Sequence, residues 1–396
     1  MKKVLTVVLA LMLILSMTAC GSSPSAEGGT SQEESPSERG ETSDGDAAGN
    51  SDKTDPDKTD SSKNSTPVSL SDAKQPADSD FSYDKYNSYV DLRGYKGSEK
   101  VIFVPATIEG LPVQCSGLSI ESDAVRGVVF AEGFTSIPTI YCRYEGDPAI
   151  EAVGIPASCE ELESKPSNLF MDFPYMKTIE VAEGNPTYSV EDGILYAMRY
   201  ENKILLCYPA MREGETFVQP DATSLAQYAF ANNKFLKRVE NAKAWNEGYA
   251  FYGSSVEEIV CSENWIYLSQ NDFADDPETT AIRSITLSAK LDNHVGNAVI
   301  FKGLDKLEEI LVPEENTKYF SEDGVLYFTS DKQKATYLLL YPNARPGEEF
   351  TPSEEADGIY YVERAFENPL YLKKIHAGNM NLSGAKFPNG IEIVTP

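Results

Sequence analysis

The sequence predicts a β-rich solenoid, with short strands stacked coil on coil into a sheet and β-hairpins inserted into the stack. Two observations carry that prediction. Residues 176–196 align without a gap to residues 307–327, and 10 of the 21 positions are identical. An apolar residue followed three later by Ile or Val also recurs, as Met176/Ile179, Leu236/Val239, Val256/Ile259, Ile282/Ile285, Leu307/Ile310 and Leu372/Ile375. A unit repeated in this way cannot bury its apolar face alone, so its stability comes from stacking on its neighbours.

From the start of the chain, residues 1–20 read as an export signal. Lys2 and Lys3 precede an apolar run from Val4 to Leu15, and Met17-Thr18-Ala19-Cys20 places small residues before a cysteine. The run is too short for a membrane span, which takes roughly 20 residues. The Met-Thr-Ala-Cys ending resembles the bacterial lipoprotein processing box, with Met17 in place of the usual Leu. That resemblance implies acylation of Cys20 and a lipid anchor on the extracellular face of the cell membrane.

Residues 21–80 are dominated by Ser, Asp, Glu, Gly, Pro and Thr, with a net charge of −9. Such a segment buries too little apolar surface to offset its ordering entropy, and it is expected to be a disordered tether. A flexible coil of that length spans about 40–45 Å. Residues 81–396, where aromatic and β-branched side chains begin, are expected to form the folded domain.

That domain carries −21 of the chain's net −28. Phosphate backbones repel it, which excludes nucleic acid as a partner. Cys115, Cys142, Cys159, Cys207 and Cys261 stand outside any tight metal-ligand spacing. Cys207 and Cys261 lie in apolar runs and read as small buried side chains.

Within the domain, Phe173, Phe230, Phe251, Phe273, Phe301 and Phe366 precede most of the Ile/Val positions and are expected to fill the core between coils. The copied block adds hairpins. Gly193 to Tyr196 and Ile204 to Tyr208 flank a polar turn around Glu201-Asn202. Val325 to Tyr327 and Tyr337 to Tyr341 flank a longer one containing Asp331-Lys332-Gln333-Lys334. The copies differ in length there, where extra residues are tolerated. Pro209 and Pro342 close the return strands, since proline removes a ladder donor.

These elements resemble BspA-type leucine-rich repeat surface proteins over roughly residues 90–396. The resemblance lies in Ala229-Phe230, Leu236 and Val239, in Asn185, Tyr188 and Asp192 to Tyr196, and in their counterparts Ala365-Phe366, Asn316, Tyr319 and Asp323 to Tyr327. Gly94 to Val113 and Val128 to Ile137 resemble the start of such domains, whereas coils 141–170 and 261–300 are irregular. The resemblance implies a right-handed solenoid with strands on one face, roles in adhesion or surface recognition, and no catalytic residues.

The residues themselves point the same way. Histidine occurs only as His294 and His376, and no nucleophile elbow, zinc-binding His-Glu-x-x-His or phosphate loop is present. The Glu191-Asp192 and Glu322-Asp323 pairs recur at one place in each copy, which favours a turn role over a glycosidase pair. No catalytic residue, metal site or cofactor is expected. Among 22 tyrosines and 2 tryptophans, Trp245 and Trp265 flank one repeat and are the candidate ligand-binding residues. The expected protein is a monomeric, lipid-anchored surface protein that binds an extracellular protein or glycan without catalysis. A structural or signalling component engaging proteins of its own envelope is the second expectation.

Overall fold

Aliphatic residues one coil apart in sequence lie side by side in space. In the computed structural model, which describes residues 68–142, 150–162, 170–244, 248–269, 272–273, 281–292, 299–359, 362–378, 380, 382 and 387–395, they form three runs of parallel strands. The first run is Val101–Val104, Gly127–Phe130, Ala152–Ile155 and Thr178–Val181, with Ile102, Val128, Val153 and Ile179 in register and buried. The second is Thr216–Val218, Arg238–Ala242, Glu258–Cys261, Ser284–Thr286 and Glu309–Leu311, which aligns Phe217, Val239, Ile259, Ile285 and Ile310. The third, Glu349–Phe350, Lys374–His376 and Glu392–Val394, aligns Phe350, Ile375 and Ile393. The protein is a β-solenoid, and the only helix among the described residues beyond 3-10 turns is Val362–Ala365.

Each coil supplies backbone donors and acceptors that only the next coil can satisfy, so the sheet and the core form together. Aromatic rings follow the same spacing. Phe230 stacks on Phe251 at 5.5 Å and 5°, and Phe273 stacks on Phe301 at 5.9 Å and 9°. All six phenylalanines picked out in the sequence are at most 4% exposed. Asparagines staple the turns from inside. Asn185 donates to the carbonyls of Pro156 and Cys159 in the preceding coil and accepts from the amides of Thr187 and Tyr188. Asn316 repeats this with Ser288, Leu291, Lys318 and Tyr319. Asn233 does the same with Pro209, Arg212, Phe235 and Leu236. Asn233 is fully buried and Asn185 and Asn316 are half-buried, and an amide that makes four bonds has both of its polar atoms satisfied.

The copied blocks fold as expected into antiparallel ribbons. Tyr188–Glu191, Ile194–Arg199 and Asn202–Cys207 form the first, and Tyr319–Glu322, Val325–Ser330 and Ala335–Leu340 the second. Both carry a register slip at the same place, Leu195/Tyr196 and Leu326/Tyr327. They are inserted into the stack, and each lies between two cores. Ile194, Tyr196, Leu205 and Tyr208 face the core of the second run. The alternating Leu195, Ala197, Ile204 and Leu206 face the core of the first. The second ribbon divides the second core from a third in the same way, with Leu326 and Phe328 on one side and Val325 and Tyr327 on the other. Each hairpin is a septum. Its unbroken apolar runs, such as Ile204-Leu205-Leu206-Cys207, are what burial on both faces requires.

Two expectations are corrected. The folded chain does not begin at Phe81. A strap over Leu70–Asp72 buries Leu70 against Val101 and Ala152, and Lys74 bridges Ile102 in parallel at the edge of the first run. Leu70 and Val68 pack against Val101, Val129 and Ala152 on the face of that sheet turned away from Ile102, and the Lys74 bridge pairs the edge strand that would otherwise stay open. Strands are also not confined to one face in the first coils. Val90–Tyr95, Gly117–Ile120 and Thr139–Cys142 form a second parallel sheet, and their Leu92, Leu118 and Ile140 share one core with Ile102 and Val128.

Candidate functional site

The residues shared by the two copies hold the ribbons in place. Asp192-Gly193 and Asp323-Gly324 form the tight turns, with positive φ at all four residues. An arginine grips each turn. Arg212 donates to the Asp192 backbone carbonyl and pairs with its carboxylate at 2.6 Å, while stacking 5.3 Å from the Tyr208 ring. Arg345 donates to the Asp323 carbonyl at 2.8 Å and lies 5.5 Å from the Tyr341 ring. Sequence reasoning passed over these arginines, although they occupy matching places in the two copies. The turn reading of both Glu-Asp pairs is the one the geometry supports, since Asp192 is engaged by Arg212 and Glu191 by Lys203.

The copies part company just beyond the ribbons. In the first, Lys234 reaches the Gly253 carbonyl of the next coil and Phe235 is half-buried. In the second, Leu370 and Tyr371 stand at the matching places, 52% and 54% exposed. They border a hollow of about 510 Å³ with Ala344, Pro346, Gly347, Glu348, Lys373 and Glu308. The scaffold beneath is well tied. The Leu370 amide donates to the Asn343 carbonyl, and the Asn343 side chain holds the Asn368 amide and Asp305.

The charges around this hollow are paired. Glu348 meets Lys373 and Glu308 meets Arg283, both at 2.5 Å. Arg283 also reaches Glu257 at 3.6 Å, and Glu257 meets Lys237 at 2.7 Å, so one ion ladder crosses four coils. Such exposed pairs contribute at most about 1 kcal/mol each. Their consequence here is that the rim is polar without being strongly charged. An aromatic ring, a leucine and a proline beside paired charges suit contact with another surface.

The sequence-predicted site residues are not brought together. Trp265 is 2% exposed and packs 5.4 Å from the Phe273 ring. Its ring belongs to the core of the second run and offers no area to a ligand, a correction to the binding role expected of it. Trp245, His294 and Cys20 lie outside the described residues. His376 pairs with Glu349 at 2.9 Å on the outer side of the third run and holds that carboxyl below its usual range. Cys207 and Cys261 are buried, and burial pushes both thiols up. Among the described residues no cluster of three His, Cys, Asp or Glu side chains is arranged to hold a metal ion. No helix among them is long and apolar enough to cross a membrane.

No protein-family model matches the chain, and no curated protein matches it. Three solved structures are similar, each at 14% identity. A leucine rich cell surface protein from Faecalibacterium prausnitzii A2-165 matches over 61% of this chain and 96% of its own, with a TM-score of 0.33. A leucine-rich repeat protein from Eubacterium ventriosum ATCC 27560 matches over 78% and 89%, at 0.37. The pneumococcal vaccine antigen PcpA matches over 82% and 99%, at 0.31. The solenoid is defined by the strand ladders described above, and these likenesses add no detail to it.

Proposed function

We propose that this chain is a non-catalytic recognition protein of the bacterial cell surface, and that it binds protein partners through the hollow bordered by Leu370 and Tyr371. One observation carries the reading. Two adjacent large side chains, each more than half exposed, edge a concavity at the point where the second copy departs from the first. Exposed apolar side chains gathered at a concavity mark interaction sites more often than scattered ones do, and an aromatic anchor such as Tyr371 is a common centre of binding energy. The partner surface presents an aromatic or aliphatic side chain to fill the hollow, with polar groups facing the Glu348–Lys373 pair.

The test exchanges the copies. The double substitution Leu370→Lys with Tyr371→Phe restores the residues of the first copy, Lys234 and Phe235, and leaves the backbone bonds of the coil intact. Capture of the full chain by immobilised extracellular-matrix proteins is expected to fall on the order of tenfold or more, with an unchanged melting temperature. Equal capture by both proteins refutes the assignment. Attachment through a lipid on Cys20 is part of the same proposal, supported by the residues that precede it. Mass spectrometry of the mature N-terminus is expected to show an acylated cysteine, and an unmodified Cys20 removes the anchor.

A further inference from the structure

The turn ahead of the strand Glu392–Val394 sets two reactive groups side by side and restrains neither. Asn389-Gly390 is the only Asn-Gly in the sequence, and both residues are exposed. Gly390 holds φ at 94°, and a β-carbon placed on it would meet no atom within 4 Å. Among the described residues, no hydrogen bond reaches the Asn389 side chain or the Gly390 N–H.

The amide carbon of an asparagine is an electrophile within reach of the next backbone nitrogen. Closure of that ring needs a nitrogen that can lose its proton, room around it, and an amide that is not tied elsewhere. Glycine supplies the room, because it has no side chain. Other asparagines miss at least one condition. The side chains of Asn185, Asn233 and Asn316 each make four hydrogen bonds. Asn87, Asn264 and Asn368 are exposed, but Ser88 and Trp265 crowd the closure at the first two. Pro369 follows the third, and its nitrogen has no proton to lose.

We propose that Asn389 is a self-modifying site, converted without an enzyme to aspartate and isoaspartate. The Gly390 nitrogen gives up its proton to solvent, and its electron pair forms a bond to Asn389 Cγ. The bond from Cγ to the side-chain nitrogen breaks, ammonia leaves, and a succinimide remains. Water then opens the ring at either carbonyl. Breaking the new bond between Cγ and the Gly390 nitrogen gives aspartate. Breaking the original peptide bond gives isoaspartate, whose main chain runs through Cβ and Cγ. The net change is an amide and a water exchanged for a carboxylate and ammonium.

The isoaspartate form has a structural consequence, because the turn stands between two anchors. The Phe387 ring lies 5.5 Å from Phe366, and Ile391 and Ile393 pack against the third core. A main chain lengthened between them can be accommodated only by shifting an anchor. The strand that follows is held by a short ladder, in which the Glu392 amide donates to the Lys373 carbonyl and the Ala377 amide to the Val394 carbonyl, both at 2.8 Å. Old copies of the protein therefore carry a loosened coil here. The modification is independent of any ligand at the Leu370–Tyr371 hollow.

Peptide mass spectrometry of the folded full chain, sampled over weeks in mildly alkaline buffer, reads the conversion directly. The peptide containing Asn389 is expected to gain the mass of an NH-to-O exchange and to separate into two forms, one of them isoaspartyl. In heavy-oxygen water it is expected to take up the label, while peptides containing Asn185, Asn233 and Asn316 stay unmodified. Gly390→Ala is expected to slow the conversion on the order of tenfold or more, a chemical readout that strain in the turn does not imitate. Hydrogen exchange of the aged chain is expected to be faster at Glu392–Val394 and unchanged at Gly127–Phe130. Freshly purified Asn389→Asp carries the charge on a normal backbone and is expected to exchange like fresh wild type. An Asn389 that stays intact in the folded chain while it converts in urea overturns the inference, as does conversion no faster than that of Asn87. Unchanged exchange at Glu392–Val394 in a fully converted chain overturns the loosening.

Discussion

Asp272 carries its carboxyl where almost no water reaches, at 1% exposure. One oxygen accepts the Ser269 amide at 2.6 Å and the other has no partner among the described residues. Burial raises the group from 3.8 to about 6. The unfolded chain releases this proton first as pH rises, so the folded state holds it longer. Its contribution to stability is most favourable below about pH 4, declines between there and pH 6, and is fully unfavourable above that. Asp272→Asn keeps an oxygen for the Ser269 amide and removes the charge. Urea denaturation at pH 7.5 is expected to show the variant more stable by about 1–3 kcal/mol, with the gain shrinking towards pH 4.5. The acidic groups held below their usual range, such as Glu257 beside Lys237 and Glu349 beside His376, lose their contribution only at lower pH and leave that comparison intact. Trp265 teaches the complementary lesson. A tryptophan in an acidic surface protein invites a binding role, but its neighbour in space is Phe273, and a single sequence does not show which rings meet across a coil.

The two hairpins share a motif and differ in their tolerance. Gly193 and Gly324 both hold φ near +75°, at 72° and 78°. A Cβ at Gly324 would lie 2.8 Å from the Glu309 Cβ and 3.2 Å from its Cα, whereas at Gly193 the nearest atom is the movable end of Arg212. Gly193→Ala is therefore expected to cost about 1–2 kcal/mol, the strain of the left-handed backbone. Gly324→Ala adds a clash with a strand and is expected to cost about 1–3 kcal/mol more. Chemical denaturation of the two variants checks the difference, and equal losses would contradict it. Much of this level was legible beforehand. The Ile/Val ladder, the phenylalanine column, the ribbons and their Asp-Gly turns all follow from local pattern. What escaped were the partners, because Arg212 and Asn233 act on residues about 20 positions away. The septum role escaped as well, since alternation with both faces apolar does not say that two different cores lie on either side.

The septa set the behaviour of the whole molecule. Each run of coils has its own core and meets the next through a ribbon, so the solenoid is expected to open as three cooperative blocks. Native-state hydrogen exchange is expected to resolve amides of the three runs into groups with distinct opening free energies. Ile375→Ala in the last run is expected to speed exchange around Lys374–His376 and leave Gly127–Phe130 unchanged. A uniform rise along the chain would show a single block instead. The fold class was readable from the repeat alone, because stacking needs only one pattern repeated. The exposure of Leu370 and Tyr371 was not, since it depends on which surface residues the scaffold leaves uncovered. The strap at Leu70 to Lys74 has a mechanical consequence. Tension entering at Val68 meets the single-residue bridge to Ile102, whose two hydrogen bonds span 3.2 and 2.9 Å, before it meets any coil. Under such a load the strap is expected to peel first, sparing the strands behind it.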